Sequence, residues 1–166
     1  MEKRQLKHHE INYDAKPLTL VDILLERVNS PANLGSIFRN AEAFGVRTLW
    51  IHSSNQSDLE SNRFKRTSRS TQQQINFLFY NDYKTVFKNF KGTKVGLEIT
   101  SDSLDINKWN GNKTDEVLLV LGNESLGISE TILEDLDQVF HINMFGNNSS
   151  LNVAQTLGIA LYEIRR

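Results

Sequence analysis

"LTLVDILLERVNSPANLGSIFRNAEAFGVRTLWIHS", residues 18 to 53, carries the reading that decides the fold. From Leu18 to Arg27 the chain is apolar enough for a buried strand. Ser30 can cap a helix, and Pro31 suits the first helical position, where a missing N–H costs nothing. Leu34, Ile37, Phe38, Ala41 and Phe44 then recur at helical spacing, and Gly45 can close the helix. "VRTLWIHS" returns to an apolar strand. The chain thus starts with a strand, helix, strand unit, the building block of a parallel sheet.

The alternation continues beyond it. "INFLFYN" reads as a strand, "DYKTVFKNF" as a helix starting near Asp82, and "TKVGLEIT" as a strand ending near Thr100. "SDSLDINKWNGNK" reads as loop. "EVLLVLG", Glu116 to Gly122, is the clearest central strand, apolar on both faces as a sheet covered by helices requires. A short helix from Ser129, a strand "QVFHIN" and the loop "MFGNNSS" follow. Val153, Leu157, Ala160, Leu161 and Ile164 then mark one face of a last helix. The pattern predicts an α/β fold, a mostly parallel sheet with helices on both sides. Residues 1–17 read as a polar arm or short helix ahead of a single domain, 18–166. The polar segment from Ser53 to Gln74 resists assignment, and within it "RFKRTSR" gathers Arg63, Lys65, Arg66 and Arg69.

Composition narrows the chemistry. A chain of 166 residues can bury a core without a metal or disulfide. It has no cysteine, which excludes disulfides, thiolate nucleophiles and cysteine-based zinc sites. His8, His9, His52 and His141 have no metal-ligand spacing, so no metal is expected. A formal net charge of −1 gives no bulk attraction for nucleic acid but leaves room for a local basic surface. Neither terminus has an apolar run of signal or membrane length, and a cytoplasmic location is the default. The dinucleotide glycine pattern, the phosphate loop and the nucleophile elbow are missing.

Three polar stretches exceed what folding needs. Asn33, Ser36, Arg39 and Asn40 lie on a helix whose other flank is core. Arg39 has small residues around it, a flank that lets another surface come close; a solvated arginine paired with Glu42 is the alternative. "GNESLG", Gly122 to Gly127, leaves the strongest strand at its carboxyl end, where parallel sheets bind ligands. Its glycines admit a ligand or solve a turn's dihedral problem, and Glu124 orients an amide or faces water. "GNNSSLNV" leads into the last helix. One residue there suffices as a cap; Ser150 and Asn152 either orient a hydroxyl-bearing substrate or belong to a flexible loop with ordinary capping chemistry.

Together, "NSPANLGSIFRNAEAFG", "LVLGNESLGIS" and "INMFGNNSSLNVAQTLGIALYE" resemble, in order and at the expected separations, the three signature motifs of the SpoU, or TrmH-like, RNA 2′-O-ribose methyltransferases. The resemblance implies an α/β sheet whose C-terminal segment threads a loop to form a deep trefoil knot, a rare exception to unknotted topology. It also implies S-adenosylmethionine as methyl donor, RNA as substrate and a homodimer with the RNA site where subunits meet. Carried over by motif, Asn33, Arg39, Glu124, Ser150 and Asn152 are the reacting constellation. Leu97, Thr100, Leu121, Gly122, Ile142, Met144 and Leu151 border the cofactor.

In the family the arginine is implicated in activating the ribose hydroxyl. An arginine is an awkward general base because it holds its proton throughout the physiological range. Binding a phosphate near the ribose, and so easing alkoxide formation, is the favoured role for Arg39. Two departures stand out: Asn143 where "IPM" is usual, and Ala154 with Gln155 where "SLNVSVA" would place serine and valine. Arg63, Lys65, Arg66 and Arg69 are expected to meet RNA phosphates, with a solvent-facing charged loop as the alternative. Lack of a long separate RNA-binding domain favours a structured tRNA over a ribosomal target. A non-catalytic RNA-binding dimer and a base methyltransferase remain as alternatives.

Overall fold

The computed structural model describes residues 4–7, 10–11, 19–111 and 116–166. Most of the polar arm expected over residues 1–17 lies outside them, as do Leu18, His8 and His9. Among the described residues seven strands form one sheet: β1 Leu20–Leu25, β2 Thr48–His52, β3 Phe77–Tyr80, β4 Thr93–Leu97, β5 Leu104–Asp105, β6 Glu116–Leu121 and β7 Gln138–His141. The helices are α1 Pro31–Ala43, α2 Asn62–Ser68, α3 Tyr83–Asn89, α4 Glu130–Glu134 and α5 Val153–Arg165. The strand order is β3-β2-β1-β6-β4-β7-β5, and every neighbouring pair is parallel.

β6 takes the centre because it is apolar on both sides. Val117, Leu119 and Leu121 join the core formed with α1, α2 and α5. Leu118 and Val120 join a second core with Val86 and Phe87 of α3 and Ile132 of α4. Beside it, β1 buries one charge, Asp22, at 4% exposure. Arg47 Nε donates to Asp22 Oδ1 at 2.7 Å, Trp50 Nε1 reaches Oδ2 at 3.4 Å, and Arg47 Nη2 also donates to Glu116 at 2.9 Å. The hydrogen bond to Asp22 foremost raises the Arg47 guanidinium above its usual pKa, against the lowering effect of its partial burial. A carboxylate at this depth persists only with such partners.

α1 begins as its sequence predicts. Ser30 Oγ accepts from Asn33 N–H, Pro31 opens the helix, and Gly45 turns the chain at φ 62° beyond its end. From the far end of α5, Arg165 donates to the carbonyl oxygens of Phe44 at 3.0 Å and Gly45 at 2.9 Å, and to that of Thr19. The last helix is thereby fastened to the end of the first. β6 follows β4 in sequence yet lies between β1 and β4, and β7 lies on β4's other side. The final third of the chain therefore crosses back over the sheet before α5 reaches α1.

Two segments differ from expectation. Ser53 to Gln74 folds into a 3-10 helix over Ser53–Glu60, then α2, then a 3-10 turn over Thr71–Gln73. Ser61 caps α2 by accepting from Phe64 N–H at 3.1 Å, and only Phe64 and Ser68 are buried in it. Two inward residues in seven carry no periodic signal. Within "SDSLDINKWNGNK", read as loop, β5 pairs with β7 through Leu104 opposite Phe140 and Asp105 opposite His141, and a 3-10 turn follows over Ile106–Lys108. A two-residue strand is equally silent in sequence.

α2 lies against α1 across Gly35, where a Cβ would stand 2.7 Å from Thr67 Cβ and 2.9 Å from the Ser68 nitrogen. Phe64 meets Phe38 edge-on beside this contact, with ring centroids 5.1 Å apart. Gly35→Val is accordingly expected to push α2 outward and cost about 1–3 kcal/mol of stability, read as a lowered urea midpoint. An unchanged midpoint would show that α2 does not need this close approach.

Candidate active site

The chain leaves β4, β6 and β7 at one edge of the sheet, and the start of α5 returns to the same place. These segments enclose a cavity of about 830 Å³. Leu97, Leu121, Ile142, Met144 and Leu151 supply apolar walls. Thr100, Gly122, Asn33, Glu124, Ser150 and Asn152 also border it. A smaller cavity of about 540 Å³, lined in part by Trp50 and Phe90, lies over the opposite face of the sheet. Arg47 already engages two of the acids there, Asp22 and Glu116.

The turn after β6 explains its glycines. Asn123 N–H donates to Gly127 O at 3.0 Å and Gly127 N–H to Asn123 O at 2.9 Å. Gly127 sits at φ 68°, and a Cβ on Gly122 would stand 2.1 Å from the Gly127 carbonyl carbon. Gly122 therefore lets the turn fold upon itself. Asn123 Oδ1 accepts from the backbone of Ser125 and Leu126, and its Nδ2 donates to Arg27 O at 2.8 Å.

That turn delivers Glu124 to the amino end of α1. Its carboxylate accepts from Asn29 N–H at 2.7 Å, Ser30 N–H at 3.1 Å and Asn33 Nδ2 at 2.8 Å. Desolvation raises the Glu124 pKa, but these hydrogen bonds outweigh it and hold the carboxyl below its usual range. The helix dipole favours the same charge. Asn33 Oδ1 in turn accepts from Asn152 Nδ2 at 2.9 Å, and Asn152 Oδ1 caps α5 by accepting from Ala154 N–H at 3.0 Å. One line of hydrogen bonds, Glu124 to Asn33 to Asn152, joins three segments far apart in the chain.

The other polar residues have different fates. Asn40 Nδ2 donates to Ala154 O at 2.6 Å, fastening α1 to α5, and the Ala154 side chain is buried in the core. Ser150 faces the cavity and, among the described residues, makes no hydrogen bond. Arg39 is not brought to the cavity of its own chain. It stands six residues beyond Asn33 on α1, roughly 9 Å along the axis and roughly 120° around it. It is exposed and has no partner among the described residues. Arg63, Lys65 and Arg66 on α2, and Arg69 just after it at φ 54°, are likewise exposed, and none forms an ion pair among the described residues.

The family model for SpoU rRNA methylases matches residues 21–162. The chain belongs to the SpoU rRNA methylase family. A protein of Borreliella burgdorferi described as an uncharacterized tRNA/rRNA methyltransferase is 31% identical over 147 residues, 87% of this chain and 63% of its own. A 23S rRNA (guanosine-2′-O-)-methyltransferase of Blochmanniella floridana is 30% identical over 152 residues, 90% of this chain and 58% of its own. The crystal structure of an AdoMet-bound rRNA methyltransferase from Sinorhizobium meliloti superposes with a TM-score of 0.78 at 25% identity, covering 88% of this chain and 56% of that one. The chain spans about three fifths of the length of the curated relatives it matches.

The cavity combines aliphatic walls with the hydroxyls of Thr100 and Ser150 and the turn at Gly122. Its volume lies within the range of small-molecule sites. Glu98 and His141 are among the cavity's members that sequence reasoning did not single out. Glu98 accepts from Ile99 N–H at 2.9 Å and Ile128 N–H at 3.0 Å, bracing the turn after β6. His141 stands at the end of β7, in a strand whose pattern carries no sign of it. Among the described residues no three histidine or acidic side chains gather as metal ligands, and no helix is long and apolar enough to cross a membrane.

Proposed function

We propose that this protein transfers a methyl group from S-adenosylmethionine to the 2′-oxygen of a ribose in structured RNA. The observation that carries the reading is the Glu124, Asn33, Asn152 line beside a cavity with apolar walls. Leu97, Leu121, Ile142, Met144 and Leu151 would hold the donor's nucleoside part, with Thr100 and the backbone at Gly122 as polar neighbours. When bound, S-adenosylmethionine supplies an electrophilic methyl carbon.

The residues of the chain do the rest. Asn33 and Asn152 are locked to each other and to Glu124, so their orientation is fixed before RNA arrives, which is where positioning gains rate. Ser150, without a partner among the described residues, is left to hydrogen-bond the ribose or its phosphate. Arg39 would bind a phosphate beside the target and stabilise negative charge as the 2′-hydroxyl gives up its proton. Because Arg39 stays outside the cavity of its own chain, it would serve the cavity of a second copy. The helix packed against α1 supports such a pairing, since α5 exposes Ile159 at 43% and Tyr162 at 64%. Arg63, Lys65, Arg66 and Arg69 would extend phosphate contact beyond the reacting ribose.

The test is incubation of the purified protein with labelled S-adenosylmethionine and separate tRNA and rRNA pools, followed by nuclease digestion and nucleoside mass spectrometry. A 2′-O-methylated nucleoside is expected, and the pool that yields it identifies the RNA class. A methylated base would replace the ribose reading. RNA binding with no transfer to either pool would make the protein a binding dimer.

A further inference from the structure

Asn143 stands at the start of the segment that forms one wall of the cavity, between Ile142 and Met144, which both line it. Its amide is held from two sides. Asn143 Nδ2 donates to Asp105 Oδ2, and Asn143 Oδ1 lies 3.2 Å from His141 Nε2. With the amide nitrogen committed to a carboxylate, the oxygen is left to accept, so His141 carries its proton on Nε2. The other ring nitrogen, Nδ1, lies 2.9 Å from Ser103 Oγ. Ser103 is itself folded onto Thr100: its Oγ accepts from Thr100 N–H at 3.0 Å and lies 2.9 Å from Thr100 O, while its single hydroxyl proton goes to Nδ1, which carries none in this tautomer. Thr100 lines the same cavity.

His141 therefore bridges the Thr100 turn and the Ile142 to Met144 segment where they extend past the ladders that β7 makes with β4 and β5. Asp105 anchors the bridge. Its Oδ1 caps the 3-10 turn after β5 by accepting from Asn107 N–H at 2.9 Å, leaving Oδ2 for Asn143. The two-residue strand β5 has the register this needs, since Asp105 pairs with His141 across the sheet.

We infer that Asp105, Asn143, His141 and Ser103 form a clasp that sets the spacing of the cavity walls and thereby the affinity for the nucleoside donor. Asn143 is a positioning residue in this device, acting on the ligand through Ile142 and Met144. It restrains by hydrogen bonds to a charged partner what a proline at the same place would restrain by its ring. The inference rests on the proposed function, since it takes S-adenosylmethionine as the ligand.

Two variants test it. Asn143→Ala removes both bonds. Asp105→Asn keeps an oxygen to cap the 3-10 turn but sets an amide donor against the Asn143 amide, opening the clasp without deleting the cap. Isothermal titration with S-adenosylmethionine alone is expected to show affinity weakened roughly tenfold in each. The double variant is expected to be no weaker than the worse single one, because both break one unit. Hydrogen exchange of the 142–145 amides is expected to quicken in both variants, while methyl transfer at saturating donor keeps its wild-type rate. Wild-type affinity in Asn143→Ala, or additive losses in the double variant, would overturn the clasp. A wild-type protein that binds no S-adenosylmethionine would instead overturn the proposed function beneath it.

Discussion

Arg39→Ala is expected to lower methyl transfer to RNA by on the order of a thousandfold, the loss typical of removing a charged group that stabilises a developing oxyanion. Folding should be unaffected, because the side chain is exposed and has no partner among the described residues, and such changes stay within about 0.5 kcal/mol. Donor affinity should hold as well, since Arg39 is not among the residues bordering the cavity of its own chain. The combination of lost turnover, intact fold and intact donor binding separates an acting residue from a structural one. A mixture with a second inactive variant then locates the action. If Arg39 serves a partner's cavity, subunits carrying Arg39→Ala and subunits carrying Glu124→Gln together rebuild one complete site in each mixed dimer. Random reassortment would restore about a quarter of wild-type activity. No restoration would mean that Arg39 works within its own chain, and unchanged turnover in Arg39→Ala would remove it from the mechanism.

Glu124→Gln is the second large effect. The carboxylate accepts three hydrogen bonds, two from backbone ahead of α1 and one from Asn33. A glutamine offers one oxygen and turns an amide donor toward donors, so Asn33 is released and with it the grip on Asn152. Turnover is expected to fall on the order of a hundredfold, the penalty of misplacing groups that align the ribose. The same carboxylate gives a pH signature. Its folded pKa lies below the usual value, so its contribution to stability is complete above the ordinary carboxylate range and is lost as pH falls through the lowered folded value. Urea midpoints of wild type and Glu124→Gln should therefore converge on acidification through and below the ordinary carboxylate range. A constant gap over that range would show that the carboxylate is not held as an anion by the α1 terminus.

Much of the fold was legible in residue order. The cap and proline at Ser30 and Pro31, the helical spacing from Leu34 to Phe44 and the doubly apolar run of β6 each encode their own element, because each signal lies within a few neighbouring residues. The segments that resisted, α2 and β5, are held by what they touch. α2 exists where Gly35 lets it approach, and β5 exists because β7 offers Leu104 and Asp105 a ladder. Asp22 illustrates the same limit inside a correctly read strand, since its tolerance depends on Arg47 and Trp50 arriving from β2 and its approach.

The site divides along the same line. The sequence alone singled out Asn33, Glu124, Ser150 and Asn152 as polar residues beside helix starts and strand ends, and the motif resemblance grouped them. Only the tertiary structure decided that Glu124 grips Asn33, that Asn33 grips Asn152, that Arg39 faces away from them, and that His141 and Asn143 tie the cavity walls together. The reason is separation. Glu124 with Asn33 and Asn152 with Asn33 lie 91 and 119 positions apart in the chain, and Asn143 with Asp105 lies 38 apart. A periodic pattern reports only on near neighbours, whereas a contact of that span comes into being when strand order brings the ends of β1, β4, β6 and β7 to one edge of the sheet.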